Sequence, residues 1–184
     1  MMNKLGSTLI RLDTVTSTND IAREMAGRGA EEGLVVTAKE QSAGRGRKGR
    51  EWASPAGEGL YLSLLLRPRI RAADASLLSL SAALAVAETL RFDFRIEADI
   101  KWPNDILVNE RKVCGILVEV TSTGPDTHRI ILGIGVNLNH RSFPPELRVT
   151  ATSLRLETGE PVAIDEFRDQ LLELIAYWYE QWLK

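Results

Sequence analysis

The segment Gln41–Trp52, called the basic loop below, has the residue types of an anion-binding site. Within Gly44–Arg50 every residue is either glycine or a cation. Glycine lets the backbone pass close to a ligand, and arginine binds phosphate oxygens through two parallel N–H groups. The cations are Arg45, Arg47, Lys48 and Arg50. The basic loop therefore has chemistry suited to phosphates.

Three interpretations of the basic loop compete. It could be a solvated charged segment, a patch for nucleic-acid phosphates, or a site for a small phosphorylated ligand. The string GRGRKG also matches the dinucleotide fingerprint G-x-G-x-x-G. That fingerprint should open a helix, whereas Glu51–Gly59 is rich in Pro and Gly and no acidic residue follows about 20 positions later. The Rossmann interpretation is therefore rejected, and for a phosphate ligand the loop resembles a flexible clamp more than the start of a helix.

Other segments contain candidate ligand-binding residues. Lys101 lies on the polar side of an alternating strand, Ile96–Trp102, whose apolar side is Ile96, Ala98, Ile100 and Trp102. Glycine inside a strand usually marks a bulge or a ligand against bare backbone, and the glycines inside the predicted strands are Gly115, Gly133 and Gly135. Thr16–Asn19 precedes an apolar helical stripe, so Ser17 with Asp20 predicts a capping box as an alternative to ligand binding.

The elements that position these residues follow from periodicity. Strands are predicted at Thr8–Val15, Leu34–Ala38, Leu60–Leu66, Ile96–Trp102, Ile106–Val108, Lys112–Val120 and His128–Leu138. Turns are predicted at Pro103–Asp105 and Ser122–Thr127, and core helices at Asp74–Arg91 and Asp165–Leu183. Consecutive strands after the central helix indicate an α+β fold with a mixed, mainly antiparallel sheet flanked by helices.

Composition limits the function classes. The 184 residues carry a net charge of −2, so the basic loop is a local concentration of charge that favours a defined anion over a long polyanion. Cys114 is the single cysteine and there are two histidines, so neither an intrachain disulfide nor a His/Cys metal cage is expected. There is no signal-peptide pattern, and no run approaches the ~18 apolar residues of a membrane span. We expect a cytoplasmic protein without a membrane partner.

Taken together, these motifs resemble the catalytic domain of biotin protein ligases. The resemblance covers roughly Val15 to the C-terminal helix. It is carried by Ser17–Asn19, GRGRKGREW at Gly44–Trp52 after Gln41, KWPND at Lys101–Asp105, KVCGILVE at Lys112–Glu119 and GIGVNLN at Gly133–Asn139. It implies the mixed-sheet fold shared with class II aminoacyl-tRNA synthetases.

The resemblance also implies roles for individual residues. The catalytic residues would be Lys101 and Arg45. The biotin site would comprise Ser17, Thr18, Asn19, Gln41, Gly44, Arg45, Lys101, Gly115, Gly133 and Gly135. The nucleotide site would comprise Arg45, Arg47, Arg50, Trp52, Asn104, Lys112 and Asn137. The ligands of a metal are not implied.

The implied activity is the joining of biotin to AMP from ATP with Mg²⁺, followed by transfer of biotin to a lysine of a biotin carboxyl carrier protein. A lipoate or octanoate ligase on the same fold and a non-catalytic biotin- or nucleotide-binding module are the alternatives. We expect one catalytic domain over residues 1–184, with neither a helix-turn-helix domain before Ser17 nor the family's small C-terminal β domain. No DNA partner is expected, and a homodimer is possible.

Overall fold

Seven strands form one sheet in a computed structural model that describes residues 5–70, 72–124 and 127–184. In chain order they are β1 (Thr8–Val15), β2 (Leu34–Gln41), β3 (Gly59–Leu66), β4 (Asp99–Lys101), β5 (Asp105–Val108), β6 (Arg111–Gly124) and β7 (Thr127–Asn137). Their order across the sheet is β1-β2-β3-β7-β6-β5-β4. β1 and β2 run parallel, and the other neighbouring pairs are antiparallel. The α+β prediction of a mixed, mainly antiparallel sheet is confirmed.

Helices cover both faces of the sheet. Those of the described residues are α1 (Thr18–Gly27), α2 (Leu78–Phe94), α3 (Leu154–Thr158) and α4 (Ile164–Trp182). Val35 of β2 belongs to the large core that α2 and α4 complete, whereas its neighbours Leu34 and Val36 pack with Ala22 and Ala26 of α1. Successive strand side chains point to opposite faces. The sheet side that α1 covers, called the α1 face below, is therefore opposite to α2 and α4.

The predicted core helices are confirmed with small boundary changes. A 3₁₀ turn, Ala72–Leu77, precedes α2, whose Leu78, Ala82, Val86 and Leu90 are buried. Among the described residues, one helical segment, residues 74–94, is long and apolar enough to cross a membrane by length and composition alone. Half of its most apolar stretch is buried inside the protein. A buried core helix in a soluble protein also has this length and composition, and here α2 packs on α4 and β6.

The predicted strand Ile96–Trp102 is shorter in the structure, because β4 covers Asp99–Lys101. Ile96, Ala98 and Ile100 pack on the core as expected. Trp102 does not, since its residue surface is 79% exposed. The chain leaves the strand after Lys101, so the alternation no longer applies. The prediction of Trp102 on the core face is wrong.

The predicted capping box is also wrong in its contacts. Ser17 occupies the N-cap position of α1, but its side chain makes no capping hydrogen bond, and Asp20 binds arginines instead. The turn predicted at Ser122–Thr127 is tighter, because β6 continues to Gly124 and β7 begins at Thr127. Residues 125 and 126 of that turn lie outside the described residues.

Candidate functional site

Three glycines leave a bare strip on the α1 face of β6 and β7. Gly115 pairs with Gly135, and Gly133 lies two residues before Gly135, so all three share one face. A Cβ at Gly133 would meet Asn19 Cγ at 3.0 Å, and a Cβ at Gly135 would meet Trp52 Cε2 at 2.5 Å. Side chains of the protein itself thus lie against these glycines, where the sequence predicted a ligand.

A hydrogen-bond network fixes the polar end of this strip. The backbone N–H and Oγ1 of Thr18 donate to Gln41 Oε1 at 2.8 and 3.1 Å, and Gln41 Nε2 donates to Ser54 Oγ at 2.8 Å. Ser63 Oγ donates to Asn19 Oδ1 at 2.5 Å and lies 2.7 Å from Thr18 Oγ1. Buried polar groups require such partners, so the amide orientation of Gln41 and the start of α1 are determined together.

The basic loop folds back on itself at the edge of the strip. Trp52 N–H donates to Gly44 O at 2.9 Å, and Arg45 forms an antiparallel bridge with Glu51. Gly44 is buried, and its backbone is packed so closely that a Cβ there would lie 2.8 Å from Ser54 Oγ. It is buried although it begins a run, Gly44–Arg50, that consists only of glycines and cations. The close approach explains why glycine is required at position 44.

Arg45 is paired with a carboxylate of α1. Its Nη1 and Nη2 donate to the two oxygens of Asp20 at 2.8 and 2.6 Å, and Glu119 Oε2 lies 4.0 Å from Nη2. The hydrogen bond from Arg45 lowers the pKa of Asp20 below its ordinary 3.8, although burial opposes this. The same bond raises the pKa of Arg45. The charge of Arg45 is therefore partly neutralised within the protein.

The opposite end of the strip is cationic. Lys101 is exposed, and among the described residues no hydrogen bond or ion pair reaches its Nζ. Asn104 is buried, donates to Ile116 O at 2.9 Å and accepts from Arg47 Nη1 at 3.2 Å. Lys112 Nζ lies 2.8 Å from Asp105 Oδ1 and 5.2 Å from the centroid of the Trp52 ring. This end has cations that could bind anions.

One pocket of about 470 Å³ collects the candidate residues. All of the site residues predicted from the sequence line it except Gly44, which is buried behind Trp52. They are Ser17, Thr18, Asn19, Gln41, Arg45, Arg47, Arg50, Trp52, Lys101, Asn104, Lys112, Gly115, Gly133, Gly135 and Asn137. Five segments distant in sequence therefore meet at one concave site of a size suited to a small ligand.

A sequence model of the Biotin/lipoate A/B protein ligase family matches residues 11–137. The chain belongs to this family. Biotin--[acetyl-CoA-carboxylase] ligase of Paracoccus denitrificans is 42% identical over 170 residues, which are 90% of this chain and 70% of that protein. Bifunctional ligase/repressor BirA of Bacillus subtilis is 43% identical over 160 residues, 86% of this chain and 49% of that protein. The chain thus spans about half the length of the Bacillus relative.

Solved structures of the family have the same fold. Biotin protein ligase from Aquifex aeolicus in complex with biotin and ATP aligns with a TM-score of 0.83 and 32% identity, covering 95% of this chain and 71% of that one. Biotin protein ligase from Leishmania major in complex with biotinyl-5-AMP aligns with a TM-score of 0.73 and 28% identity, covering 95% and 76%. The fold predicted from the resemblance is confirmed.

Sequence reasoning missed several residues of this family member's site. The segment after β7 closes one side of the pocket with Phe143, Leu147, Thr150 and Ala151. Asn137 Nδ2 donates to Thr152 O at 3.1 Å, which holds that segment in place. No periodic pattern or motif in this segment indicated such a role.

The polar supports beneath the pocket were missed for a different reason. The sequence pattern predicts a helix cap at Asp20 and no role for Glu119, whereas the structure pairs Asp20 with Arg45 and Glu119 with Asn19. Ser63 is fully buried, and it is the polar exception in the apolar strand GLYLSLLL. A buried hydroxyl needs a partner, so Ser63 was a signal that could have predicted a polar network on this face.

Proposed function

We propose that this chain activates biotin with ATP to form biotinyl-5'-AMP and then transfers biotin to a lysine of a biotin carboxyl carrier protein. The observation that carries the proposal is one pocket with a fixed hydrogen-bonding network at one end, a strip of glycines in the middle and, at the other end, Lys101, whose ammonium has no partner among the described residues. Biotin has the same sequence of parts, namely a ureido group, an apolar ring and chain, and a carboxylate. Relatives named as biotin ligases support the same reaction.

The polar end is suited to the ureido group, which has one acceptor and two donors. Thr18 fixes the amide of Gln41, so these groups need no reorganisation when the ligand arrives. We assign the ureido contacts to Ser17, Thr18, Asn19, Gln41 and the backbone of Arg45, and we assign Gly44, which is buried against Ser54 and Gln41, to the support of this end of the pocket. The apolar part of biotin is assigned to the walls around Gly115, Gly133 and Gly135, which line the pocket.

In the first step a carboxylate oxygen of biotin bonds to the α-phosphorus of ATP. The bond from that phosphorus to the pyrophosphate oxygen breaks, and pyrophosphate leaves with the bonding electrons. The nucleophile is already ionised, so no general base is required. The obstacle is repulsion between two anions. We assign Lys101 the position between them, because its ammonium has no partner among the described residues.

Other cations and polar groups are assigned to the nucleotide. Arg47 and Arg50 would bind phosphate oxygens, with Asn104 holding the guanidinium of Arg47. Trp52, Lys112 and Asn137 complete the assigned nucleotide contacts. The guanidinium of Arg45 gives one N–H of Nη1 and one N–H of Nη2 to Asp20, so its proposed catalytic contact with the reacting anions uses its three remaining N–H groups.

In the second step the neutral amine of the carrier lysine attacks the acyl carbon of biotinyl-5'-AMP. An amide bond forms, the carbon–oxygen bond to AMP breaks, AMP leaves with the electron pair, and the nitrogen loses a proton to water. The mixed anhydride must survive until the lysine arrives. We assign this protection to the basic loop, whose Trp52 ring lies against Gly115 and Gly135. Because the reaction consumes ATP, we place it in the cytoplasm.

Magnesium fits this pocket as a companion of ATP. Among the described residues, no group of three or more His, Cys, Asp or Glu side chains could hold a metal ion. Mg²⁺ is usually held by substrate phosphates and one or two carboxylates, and the carboxylates that line the pocket are Glu51, Asp105 and Glu110. When bound, Mg²⁺ would neutralise phosphate charge.

The test is incubation with MgCl₂, ATP labelled at the α-phosphorus, and biotin, lipoate or octanoate in parallel. The family description includes lipoate ligases, so the acid is varied. Labelled adenylate with biotin alone is the expected result. Adenylate with lipoate or octanoate instead would contradict the substrate assignment. Biotin binding without any adenylate would indicate a non-catalytic binding module.

A further inference from the structure

The cations of the basic loop differ in their partners. Arg45 is bound through two parallel hydrogen bonds to Asp20, in the first turn of α1. Among the described residues, no carboxylate lies within ion-pair distance of Arg47, Lys48 or Arg50. A bidentate arginine–carboxylate pair fixes orientation as well as distance. Among the described residues, Arg45 is thus the loop cation that an ion pair connects to the body of the protein.

The pair belongs to a larger charged network. Arg23 bridges two carboxylates, with Nη1 at 2.9 Å from Asp20 Oδ1 and Nη2 at 2.8 Å from Glu119 Oε2. Glu119 also accepts from Asn19 Nδ2 at 2.7 Å. The network therefore joins α1, β6 and the basic loop to Asn19, which lines the pocket.

We propose that Asp20 is a positioning residue that fixes the first half of the basic loop before any ligand binds. With Arg45 held, Arg47 two residues later reaches Asn104 beside the pocket. Ordering a flexible residue costs about 1–2 kcal/mol. Ordering this half of the loop in advance therefore lowers the cost of binding phosphates, and the second half is left to close on the ligand. The consequence for ATP rests on the proposed function, whereas the anchoring of the loop does not.

The first test measures hydrogen exchange of the Gly44–Gly46 amides in the ligand-free protein. Asp20→Asn removes the charge that binds Arg45, and Arg45→Lys removes the fork but keeps the charge. Both side chains are about one-third exposed, so each variant should speed exchange only about fivefold. The double variant should exchange no faster than either single one, because each single variant already removes the bidentate pair.

The matched control is Asp13→Asn, which removes another paired carboxylate. Asp13 lies on β1, and its Oδ1 is 2.7 Å from Nζ of Lys39 on β2. Its loop exchange should equal that of the unaltered protein. Unchanged exchange in Asp20→Asn, or equal acceleration in Asp13→Asn, would overturn the anchoring role.

The second test separates positioning from catalysis. Loss of pre-ordering weakens ground-state and transition-state binding equally, so Asp20→Asn should raise the KM for ATP about fivefold and leave kcat within about twofold. A fall in kcat with an unchanged KM would contradict the proposal. If the unaltered protein forms no biotinyl-5'-AMP, the proposed function fails, and the exchange experiment still decides whether Asp20 anchors the loop.

Discussion

Replacing Gly133 with alanine tests whether the bare strip and the start of α1 are packed as one unit. The new methyl group would lie 3.0 Å from both Cγ and Nδ2 of Asn19 and closer still to Oδ1. Gly133 is paired with Ser63 on β3 and Leu117 on β6, so its backbone is held on both sides. Asn19 must therefore move.

The cost follows from what Asn19 loses. This side chain is 4% exposed and hydrogen bonds to Ser63 and Glu119. Over-packing a core costs about 1–3 kcal/mol, and each lost hydrogen bond costs about 1 kcal/mol or more. The protein either keeps Asn19 in place and over-packs, or moves Asn19 and loses hydrogen bonds, and the response with the lower free-energy cost prevails. Alanine offsets about 0.5–1 kcal/mol of this cost, because glycine is unfavourable inside a strand. We expect Gly133→Ala to lower the free energy of unfolding by about 2 kcal/mol.

The assay is urea unfolding at constant m-value, with calorimetry of biotin binding in parallel. Gly27→Ala is the matched control, because a Cβ there meets no atom within 4 Å, and its stability should stay equal or rise. In an Asn19→Ala background the methyl group has room, so Gly133→Ala should then cost nothing. An equal cost in both backgrounds, or an unaltered stability of Gly133→Ala, would refute the packing argument. Biotin affinity should fall in Gly133→Ala, since Asn19 lies at the proposed ureido end.

Three further predictions concern catalysis, ligand-induced order and pH. Lys101→Ala should reduce adenylate formation by about 3–4 kcal/mol of transition-state stabilisation while biotin binding stays measurable by calorimetry, and a near-normal adenylation rate would exclude this role. Hydrogen exchange across Gln41–Trp52 should slow with biotin and slow further with biotinyl-5'-AMP, whereas equal exchange in the free and adenylate-bound protein would contradict closure of the basic loop. Burial lowers the pKa of His140 below 6.5 against the opposing effect of Glu58, so the unfolded chain binds the proton more readily and stability should fall as pH drops below 6.5. Urea midpoints between about pH 7.5 and 5.5 should show a shallower slope in His140→Gln, and an equal slope would exclude His140.

Much of the sheet was predictable because its strands have strong local signals. The apolar run Leu60–Leu66 and the paired segments around Asn109 require little from the rest of the chain to be recognised. Trp102 was misplaced because a strand pattern does not show where the chain turns away. The deciding contact is made by Asn104, which donates to Ile116 O on β6, and sequence periodicity does not contain such a contact.

The candidate site was predictable in its residue types but not in its pairings. The sequence GRGRKG does not distinguish the roles of Arg45 and Arg47. In the structure Arg45 hydrogen bonds to Asp20, and Arg47 hydrogen bonds to Asn104. That difference depends on α1 lying beside the basic loop. Likewise the glycines indicated close approach, but only the sheet register shows that Asn19 and Trp52 approach them.

The location of the pocket explains why these pairings require the whole fold. Asn19 and Glu119 are separated by 100 positions in sequence, and Thr18 and Ser63 by 45, yet both pairs form hydrogen bonds on the α1 face. They meet because β3 and β7 are neighbours at the centre of the sheet, with β2 and β6 outside them. Unfolding of any of these strands separates the polar end of the pocket from the glycine strip. A ligand that contacts both ends must therefore bind the folded state and not the unfolded state. Its binding free energy then adds to the stability of the entire sheet.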